Sequence, residues 1–417
     1  MSTTKIPWTI RFGLFPLLSL AVACGPDIPA SEWGGTISDS AGIRIVRNPA
    51  DGLWRPGEGW TYTEALKIGA DVGEPEYEFG AVTSIQVDPQ GRIYVFDGMA
   101  GQIRVYDAGG THLLSFGGQG EGPGEFSRGA AGAFLTRDGR LLVPDLGNQR
   151  ISTLSSDGAF LGSVLVSYAS GFPVRWDADE GGNLFVQRRA MGFNEDPELA
   201  AGDPLVRIGP DGAEESVVLL PKAQTVWMEG AAPRFRYFAD EPSWDAGPGG
   251  TIRTAMTQRY RIEVRDPDGS IRFILTKPWD QRPVTEADRR RFEDLLRAAL
   301  DRAGLSPGAI DRQVDNLSYG STFPAFNQLM EGPDGTTLVQ QVDAVEDIEA
   351  LDLAEEMSRR LGARRWDAFD REGRFLSSFD LPARFTPMVW RGNEVYGRWL
   401  DELDRAYVLK LARAEAG

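Results

Sequence analysis

The sequence predicts an all-β fold: a six-bladed β-propeller closed by an N-terminal strand, with helical insertions in or near blades 4–5. Three observations lead to this. The chain has 49 glycines and 26 prolines, which favours turn-rich β-structure. A unit of four β-rich segments has turns that recur along the chain, and only two strands follow the last recurrence. An open solenoid is the alternative architecture.

The clearest unit covers residues 80–117. Its inner hairpin turn is DPQG at 88–91, and its outer hairpin turn is DAGG at 107–110. Both turns place glycine where a positive φ is needed. Four antiparallel strands joined by tight turns form one propeller blade.

Counting this first unit, the inner turn occurs six times and the outer turn five times. Since only two strands follow the sixth inner turn, we expect Thr61–Ile68 to supply the missing outermost strand and close the ring. Ile43–Arg47 is expected to be a further strand in this closure. The predicted blades are residues 76–122, 123–169, 170–222, 234–277, 322–381 and 382–412 with 61–68.

The glycine-rich segment FGGQGEGPGEF at 116–126 resembles the inter-blade signature of NHL-repeat propellers, as do IYVFD at 93–97 and IRVYD at 103–107. The resemblance is sharpest in the first two blades. It implies a binding platform, or in a minority of such propellers an enzyme. The glycine run lacks the Lys-Ser/Thr ending of a phosphate loop, so we expect a close turn between blades.

Residues 1–23 have the pattern of a lipoprotein signal peptide, with Lys5 and Arg11 before an apolar stretch too short to span a bilayer. The sequence AVAC at 21–24 resembles a bacterial lipobox, which implies lipidation of Cys24, the single cysteine. An ordinary signal peptide is the alternative.

Gly25 follows the cysteine in place of Asp, and this implies transit to the outer membrane of the cell envelope. Residues 24–40 lack apolar periodicity, so we expect a flexible tether. The propeller is then expected to occupy residues 41–417.

Two insertions, about 283–318 and 345–362, have helical patterns. In the first, Thr285 caps a helix with an apolar stripe, and a second short helix runs from Ser306 to about Val314. A third helix is predicted over about 348–361. The insertions are either a lid or partner-binding flap, or decoration that covers loop surface.

Charge and histidine content exclude several functions. A net charge of −17 repels nucleic acid, so no nucleic-acid partner is expected. The single histidine, His112, lies in the outer hairpin of blade 1, far from the channel. This excludes the histidine zinc site of amidating-lyase propellers, the catalytic histidine of streptogramin-lyase-like propellers, and Ser-His-Asp or Cys-His catalysis. No residue is assigned a catalytic role.

A calcium site needs only oxygen ligands, so Ca²⁺ remains the one cofactor to consider. Gluconolactonase and paraoxonase-like propellers hold a metal at the channel mouth. Here the candidates at that place are Asp240, Glu241 and Asn327, and no other blade offers a matching carboxylate. No metal site is assigned on this basis.

Aromatic residues near the innermost strands form a second candidate site. With Arg234 and Arg236 they would line a funnel for a sugar or peptide; packing between blades is the alternative. The set is Phe172, Trp227, Phe235, Tyr237, Phe238, Trp244, Tyr319, Phe323 and Phe326.

These features predict a lipid-anchored, non-catalytic binding or scaffold module at the cell envelope. Its partner would be an envelope protein, a peptide or a glycan. The first alternative is a calcium-dependent hydrolase or lactonase, and the second is another enzyme such as a lyase or dehydrogenase. The candidate ligand-binding residues are Asp240, Glu241, Asn327, Arg234, Arg236 and Trp244.

Overall fold

The chain folds as a six-bladed β-propeller, which confirms the predicted fold class. The structure is a computed structural model. It describes residues 33–55, 57–70, 73–167, 171–190, 199, 201–223, 225–229, 232–348 and 362–414.

The strands follow the chain in order around the ring. Three strands precede the first blade: β1 Thr36–Ser40, β2 Ile43–Arg47 and β3 Tyr62–Ile68. Blade 1 consists of β4 Val82–Val87, β5 Ile93–Asp97, β6 Gln102–Tyr106 and β7 His112–Gly117. Blade 2 consists of β8 Phe134–Leu135, β9 Leu141–Asp145, β10 Arg150–Leu154 and β11 Phe160–Leu165. Blade 3 consists of β12 Phe172–Ala178, β13 Leu184–Arg189, β14 Asp203–Ile208 and β15 Glu214–Leu220.

A small sheet and two helices interrupt the second half of the ring. The first two strands of that sheet are β16 Val226–Glu229 and β17 Ala232–Tyr237. Blade 4 begins with β18 Pro242–Ala246, β19 Ile252–Met256, β20 Arg261–Arg265 and β21 Ile271–Thr276. Then come helices α1 Glu286–Arg302 and α2 Pro307–Val314 and strand β22 Leu317–Tyr319.

Two blades complete the ring. Blade 5 consists of β23 Gln328–Glu331, β24 Thr337–Val342, β25 Gly362–Phe369 and β26 Phe375–Asp380. The last strands are β27 Phe385–Arg391, β28 Glu394–Leu400 and β29 Ala406–Arg413. Single 3₁₀ turns lie at Pro75–Tyr77, Pro333–Gly335 and Val345–Asp347. None of the helices in the described ranges is long and apolar enough to cross a membrane.

The hydrophobic core lies between neighbouring blades. In blades 1 and 2 the second strand is buried on both faces, since all five residues of β5 and of β9 are buried. Between blades 1 and 2, for example, the ring of Phe96 packs edge-on against Phe126 at 5.6 Å. Each blade therefore buries its apolar side chains only when both neighbours are present.

Strand β3 closes the ring as the sequence predicts. It pairs antiparallel with β29, with Thr63 opposite Ala412 and Lys67 opposite Leu409. The sheet order of blade 6 is therefore β27-β28-β29-β3. The last blade is completed by a strand from the other end of the chain.

The prediction that Ile43–Arg47 joins this closure is wrong. This strand, β2, pairs in parallel with β21, with Ile45 opposite Ile274, and β1 pairs with β2. Blade 4 is therefore a six-stranded sheet. The tether prediction is also wrong for Thr36–Ser40, which form β1; residues 1–32 lie outside the described ranges. The backbone N–H and C=O groups on the outer edge of β21 need hydrogen-bond partners, and β2 supplies them.

Residues 36–55 and 57–68, which we call the belt, run along the outside of blades 4, 5 and 6. Between β2 and β3, the buried side chain of Asn48 joins two blades. Its Nδ2 donates to the carbonyl oxygens of Gly373 (2.9 Å) and Thr276 (3.2 Å), and its Oδ1 accepts from the Phe375 amide (2.6 Å). The Leu53 amide then donates to the Phe375 carbonyl oxygen.

The glycine-rich segment at 117–126 is a close turn between blades, as expected. Phe126 is fully buried, and its amide donates to the Gly118 carbonyl oxygen at 2.8 Å. The guanidinium of Arg150 donates to the carbonyl oxygens of Glu121, Gly122 and Glu125. The backbone of this turn is thus hydrogen-bonded within the chain.

We expect Asn48→Ala to lower the free energy of unfolding by about 1–3 kcal/mol, because the buried Gly373 carbonyl oxygen and the buried Phe375 amide lose their hydrogen bonds to this side chain. Urea unfolding followed by fluorescence measures this. Asp51→Ala, an exposed change in the same segment, is the control. Equal stability of the two variants would contradict a bridging role for Asn48.

Candidate functional site

The two faces of the propeller differ in the length of their connections. We call the face where the innermost strands begin the upper face, and the face where they end the lower face. Every hairpin turn at the lower face has five residues or fewer, as at 88–92 or 332–336. At the upper face the connections 190–202, 221–241, 277–327 and 343–361 leave and return. These four long connections therefore begin and end on the same side of the ring.

A helical cap stands on the upper face next to blades 4 and 5. We define the cap as α1, α2 and the sheet β16-β17-β22. Helix α1 begins with a capping box in which Thr285 Oγ1 accepts from the Asp288 amide and Asp288 Oδ2 accepts from the Thr285 amide. The predicted helices at 285–303 and 306–314 are confirmed; the one at 348–361 lies outside the described residues.

The predicted aromatic funnel is mostly the interior of this cap. Residues of α1, α2 and the two strands that cross below them share one apolar cluster, so the funnel hypothesis is wrong for them. Phe326 is buried elsewhere, Phe172 is partly exposed, and the side chain of Trp227 is outside the description. The aromatic members of the cap cluster are Phe235, Tyr237, Phe238, Phe292, Tyr319 and Phe323.

The cap is fixed to the ring by polar contacts. Gln258, on the upper face of blade 4, donates from Nε2 to the carbonyl oxygens of Phe238 (2.7 Å) and Thr322 (3.1 Å). Arg282 donates to the Val342 carbonyl oxygen of blade 5 at 3.1 Å. At the far end of α1, Arg302 lies 3.7 Å from Asp404 of blade 6. The cap thus reaches from blade 4 to blade 6.

Three of the predicted polar residues lie together at the base of the cap. Glu241 and Asn327 line the same small cleft. The Asn327 side chain donates to Gln340 Oε1 at 2.7 Å, and Asp240 Oδ1 accepts from the Gln258 amide at 2.9 Å. Burial raises the pKa of Asp240. Within the described ranges no three acidic, histidine or cysteine side chains are placed to hold a metal ion.

The other three predicted residues do not line this cleft. Arg234 lies on β17 and donates to Asn316 Oδ1 within the cap. Arg236 lies on the same strand, where its amide donates to the Thr225 carbonyl oxygen. Trp244 is fully buried toward blade 3, and its indole N–H donates to Gln187 Oε1 at 2.9 Å. The prediction that Trp244 binds ligand is therefore wrong.

His112, the single histidine, lies away from the channel as expected. It is the first residue of β7, the outermost strand of blade 1, and its Nε2 lies 2.8 Å from Ser115 Oγ. Its ring packs edge-on against Tyr106. Ser115 and Tyr106 both belong to blade 1, so these contacts are part of the packing of that blade.

A polar network that was not predicted from the sequence lies at the lower end of the channel. Gln86, Asp177 and Asp245 each stand five residues before the glycine of their inner turn, Gly91, Gly182 and Gly250. Each accepts a backbone amide of the innermost strand of the following blade. The distances are 3.5 Å from the amide of Leu135, 3.1 Å from Ala246 and 2.8 Å from Glu331. These bonds join adjacent blades around the channel.

Arginine residues balance the carboxylates of this network. Arg253, fully buried, donates to Glu331 Oε2 at 2.6 Å and Thr337 Oγ1 at 3.0 Å, and lies 3.6 Å from Asp245 Oδ2. Burial, and next the charge of Asp177, raise the pKa of Asp245 to about 7, while Arg253 opposes this. Burial likewise raises the pKa of Asp177.

All six blades line the cavity of about 130 Å³ at this end. At its rim Glu180 accepts from Arg391 at 2.8 Å and from Arg137 at 3.3 Å. Since its acids bond to backbone amides and guanidinium groups of this chain, the network holds the ring together. The sequence signal that could have revealed this network is the shared position of Gln86, Asp177 and Asp245, five residues before the turn glycine.

Comparison with known proteins supports the fold. No protein-family model and no curated protein matches the chain. A Bacteroides fragilis protein provisionally described as exported is 11% identical, with a TM-score of 0.50 over 89% of this chain and 100% of that chain. A DUF4221 family member from Bacteroides vulgatus is 10% identical, with a TM-score of 0.51 over 86% and 98%.

Virginiamycin B lyase from Staphylococcus aureus is also similar, at 11% identity and a TM-score of 0.43 over 85% of this chain and 99% of that chain. The two Bacteroides matches, at 10–11% identity, show a shared fold alone.

We expect Asp245→Asn to flatten the pH dependence of stability. In the unfolded chain this carboxyl ionises near 3.8, and in the folded chain near 7. The folded state thus binds the proton more tightly, so wild-type stability falls as pH rises from about 4 to 7. Asparagine removes this contribution and keeps an acceptor for the Glu331 amide.

Chemical unfolding at several pH values between 4 and 8 measures the effect. Asp294→Asn, on the exposed face of α1, is the matched control. The same slope in Asp245→Asn as in the wild type would contradict the raised pKa.

Proposed function

We propose that the protein is a lipid-anchored, non-catalytic binding module of the bacterial cell envelope, and that its partner binds the upper face at the cap. An envelope protein, a peptide or a glycan fits this role. We also propose a relation to NHL-type propellers, on the strength of the glycine-rich turn at 116–126.

The asymmetry of the two faces is the observation that carries the proposal. The lower face consists of short turns, whereas long connections and a cap with its own apolar core are on the upper face. Insertions of this length in compact domains are commonly used for binding. The outward surface of α1 is charged, with Arg290 and Asp294 exposed, so it suits a polar partner.

The bonding of the acidic side chains in the channel favours a binding role over a catalytic one. The acids at its lower end are engaged with the amides and guanidinium groups that join the blades. A catalytic carboxylate must be free to reach a substrate proton or a metal ion. Asp177, Asp245 and Glu331 are instead structural.

A calcium-dependent hydrolase is the second candidate. It is favoured by the placement of Glu241 and Asn327, whose side chains line one cleft at the upper channel mouth. Calorimetry with Ca²⁺ and hydrolysis of sugar lactones separate the two functions. Calcium-dependent turnover that is lost in Glu241→Gln would contradict a non-catalytic role.

Surface variants test where the partner binds. We expect Asp294→Arg with Ala298→Arg, on the exposed face of α1, to lose binding to envelope proteins or peptidoglycan from the native cells. Gln90→Arg with Ala108→Arg, in two lower-face turns, should bind as the wild type does. Loss in the lower-face variant alone would place the partner on the other side and contradict the proposal.

Cys24→Ser tests the anchor. We expect the variant to leave the membrane fraction, because the thioether-linked lipid supplies most of the membrane affinity. Membrane fractionation and mass spectrometry of the mature N-terminus measure this. Continued membrane association of the variant would contradict lipidation at Cys24.

A further inference from the structure

A groove of about 200 Å³ lies on the outside of the ring between blades 3 and 4. The end of β15 and Pro221 form one wall, with Val218 and Leu220 directed toward blade 4. The other wall is blade 4, from β19 and β20. It presents Thr254, Ala255, Met256, Arg259, Arg261, Glu263 and Arg265.

The groove lies between the outermost strand of blade 3, β15, and the second and third strands of blade 4, β19 and β20. Side chains alternate along a strand, so Arg261, Glu263 and Arg265 share the face of β20 that looks toward blade 3. These charged side chains line the cleft beside the end of β15.

Arg265 forms the fixed floor of the groove. Its Nε donates to Thr254 Oγ1 at 3.0 Å, its Nη1 donates to the Gly269 carbonyl oxygen at 2.7 Å, and it forms an ion pair with Glu263. Its side chain is 16% exposed. These bonds hold Glu263 in place, and Glu263 in turn orients Arg261 through a second ion pair.

Arg261 and Arg259 have donors left for a ligand. The Arg261 side chain is 46% exposed and uses one guanidinium nitrogen for Glu263. The Arg259 guanidinium is exposed, and its charge acts on the nearby Asp240 without a hydrogen bond in the described part of the chain. Three arginines against one carboxylate make the groove positive in a chain whose net charge is −17.

We propose that this groove binds the carboxylate of an amphipathic organic anion. Arg259 and Arg261 bind the carboxylate, since guanidinium groups pair with carboxylates through two parallel hydrogen bonds. The apolar part of the ligand packs against Val218, Leu220 and Met256. A free fatty acid and a peptide C-terminus with an apolar last residue share this chemistry. The site is separate from the partner surface proposed for the cap.

Titration calorimetry of the full chain with octanoate tests the proposal. We expect octanoate to bind, butyrate to bind more weakly because it has less apolar surface, and octylamine not to bind. Arg261→Gln and Arg259→Gln should each weaken octanoate binding by about tenfold, the loss of one charge-assisted hydrogen bond. Arg272→Gln, an exposed arginine of β21 that pairs with Asp266 outside the groove, should bind as the wild type does.

N-acetyl-Leu-Leu, as free acid and as amide, distinguishes the two ligand sources. Tighter binding of the peptide acid than of octanoate, lost in the amide, supports a peptide C-terminus; the reverse order supports a free acid. Octanoate that binds no better than octylamine, or unchanged affinity in both arginine variants, overturns the proposal. All these variants are exposed, so thermal melts should match the wild type.

Discussion

The pairing of β3 with β29 is the constraint on which the rest of the structure depends. Each blade buries its apolar side chains against two neighbours, so a ring open at one junction exposes the apolar faces of both terminal blades. The belt adds to this closure before β3 begins. Through β2 and Asn48 it joins blade 4 to blade 5, and through β3 it completes blade 6. Half of the ring is thus held by one N-terminal segment.

The inner side of the ring is held by a different device. At three junctions a polar side chain at the lower end of the channel accepts an amide from the next blade. This use of the channel acids leaves the upper face for recognition. There the insertions build the cap. The arginine groove lies on the outside of the ring, between blades 3 and 4. Closure and binding therefore occupy different parts of the molecule.

Turn chemistry made the blades and the closing strand predictable, because a five-residue lower turn needs a residue with positive φ and Gly91, Gly250 and their equivalents provide it. The partner of β2 was not predictable, since a five-residue apolar strand fits any free sheet edge. The residues of the candidate site were harder to predict from the sequence than the strands. Trp244 and Asp245 are neighbours on β18, yet alternation turns the first toward blade 3 and the second toward blade 5. The sequence pattern does not show which of the two side chains faces which neighbouring blade.

A cross-strand disulfide tests the closed ring most directly. In a Cys24→Ser background, Thr63→Cys and Ala412→Cys place two thiols on directly opposed residues of β3 and β29, about 4.5–5.5 Å apart at Cα, which suits a disulfide. We expect complete oxidation to an intramolecular disulfide and a higher Tm than in the reduced protein. Thr63→Cys with Arg272→Cys, on a strand of blade 4, should not cross-link. Failure of the first pair to cross-link in the folded protein would contradict closure by the N-terminal strand.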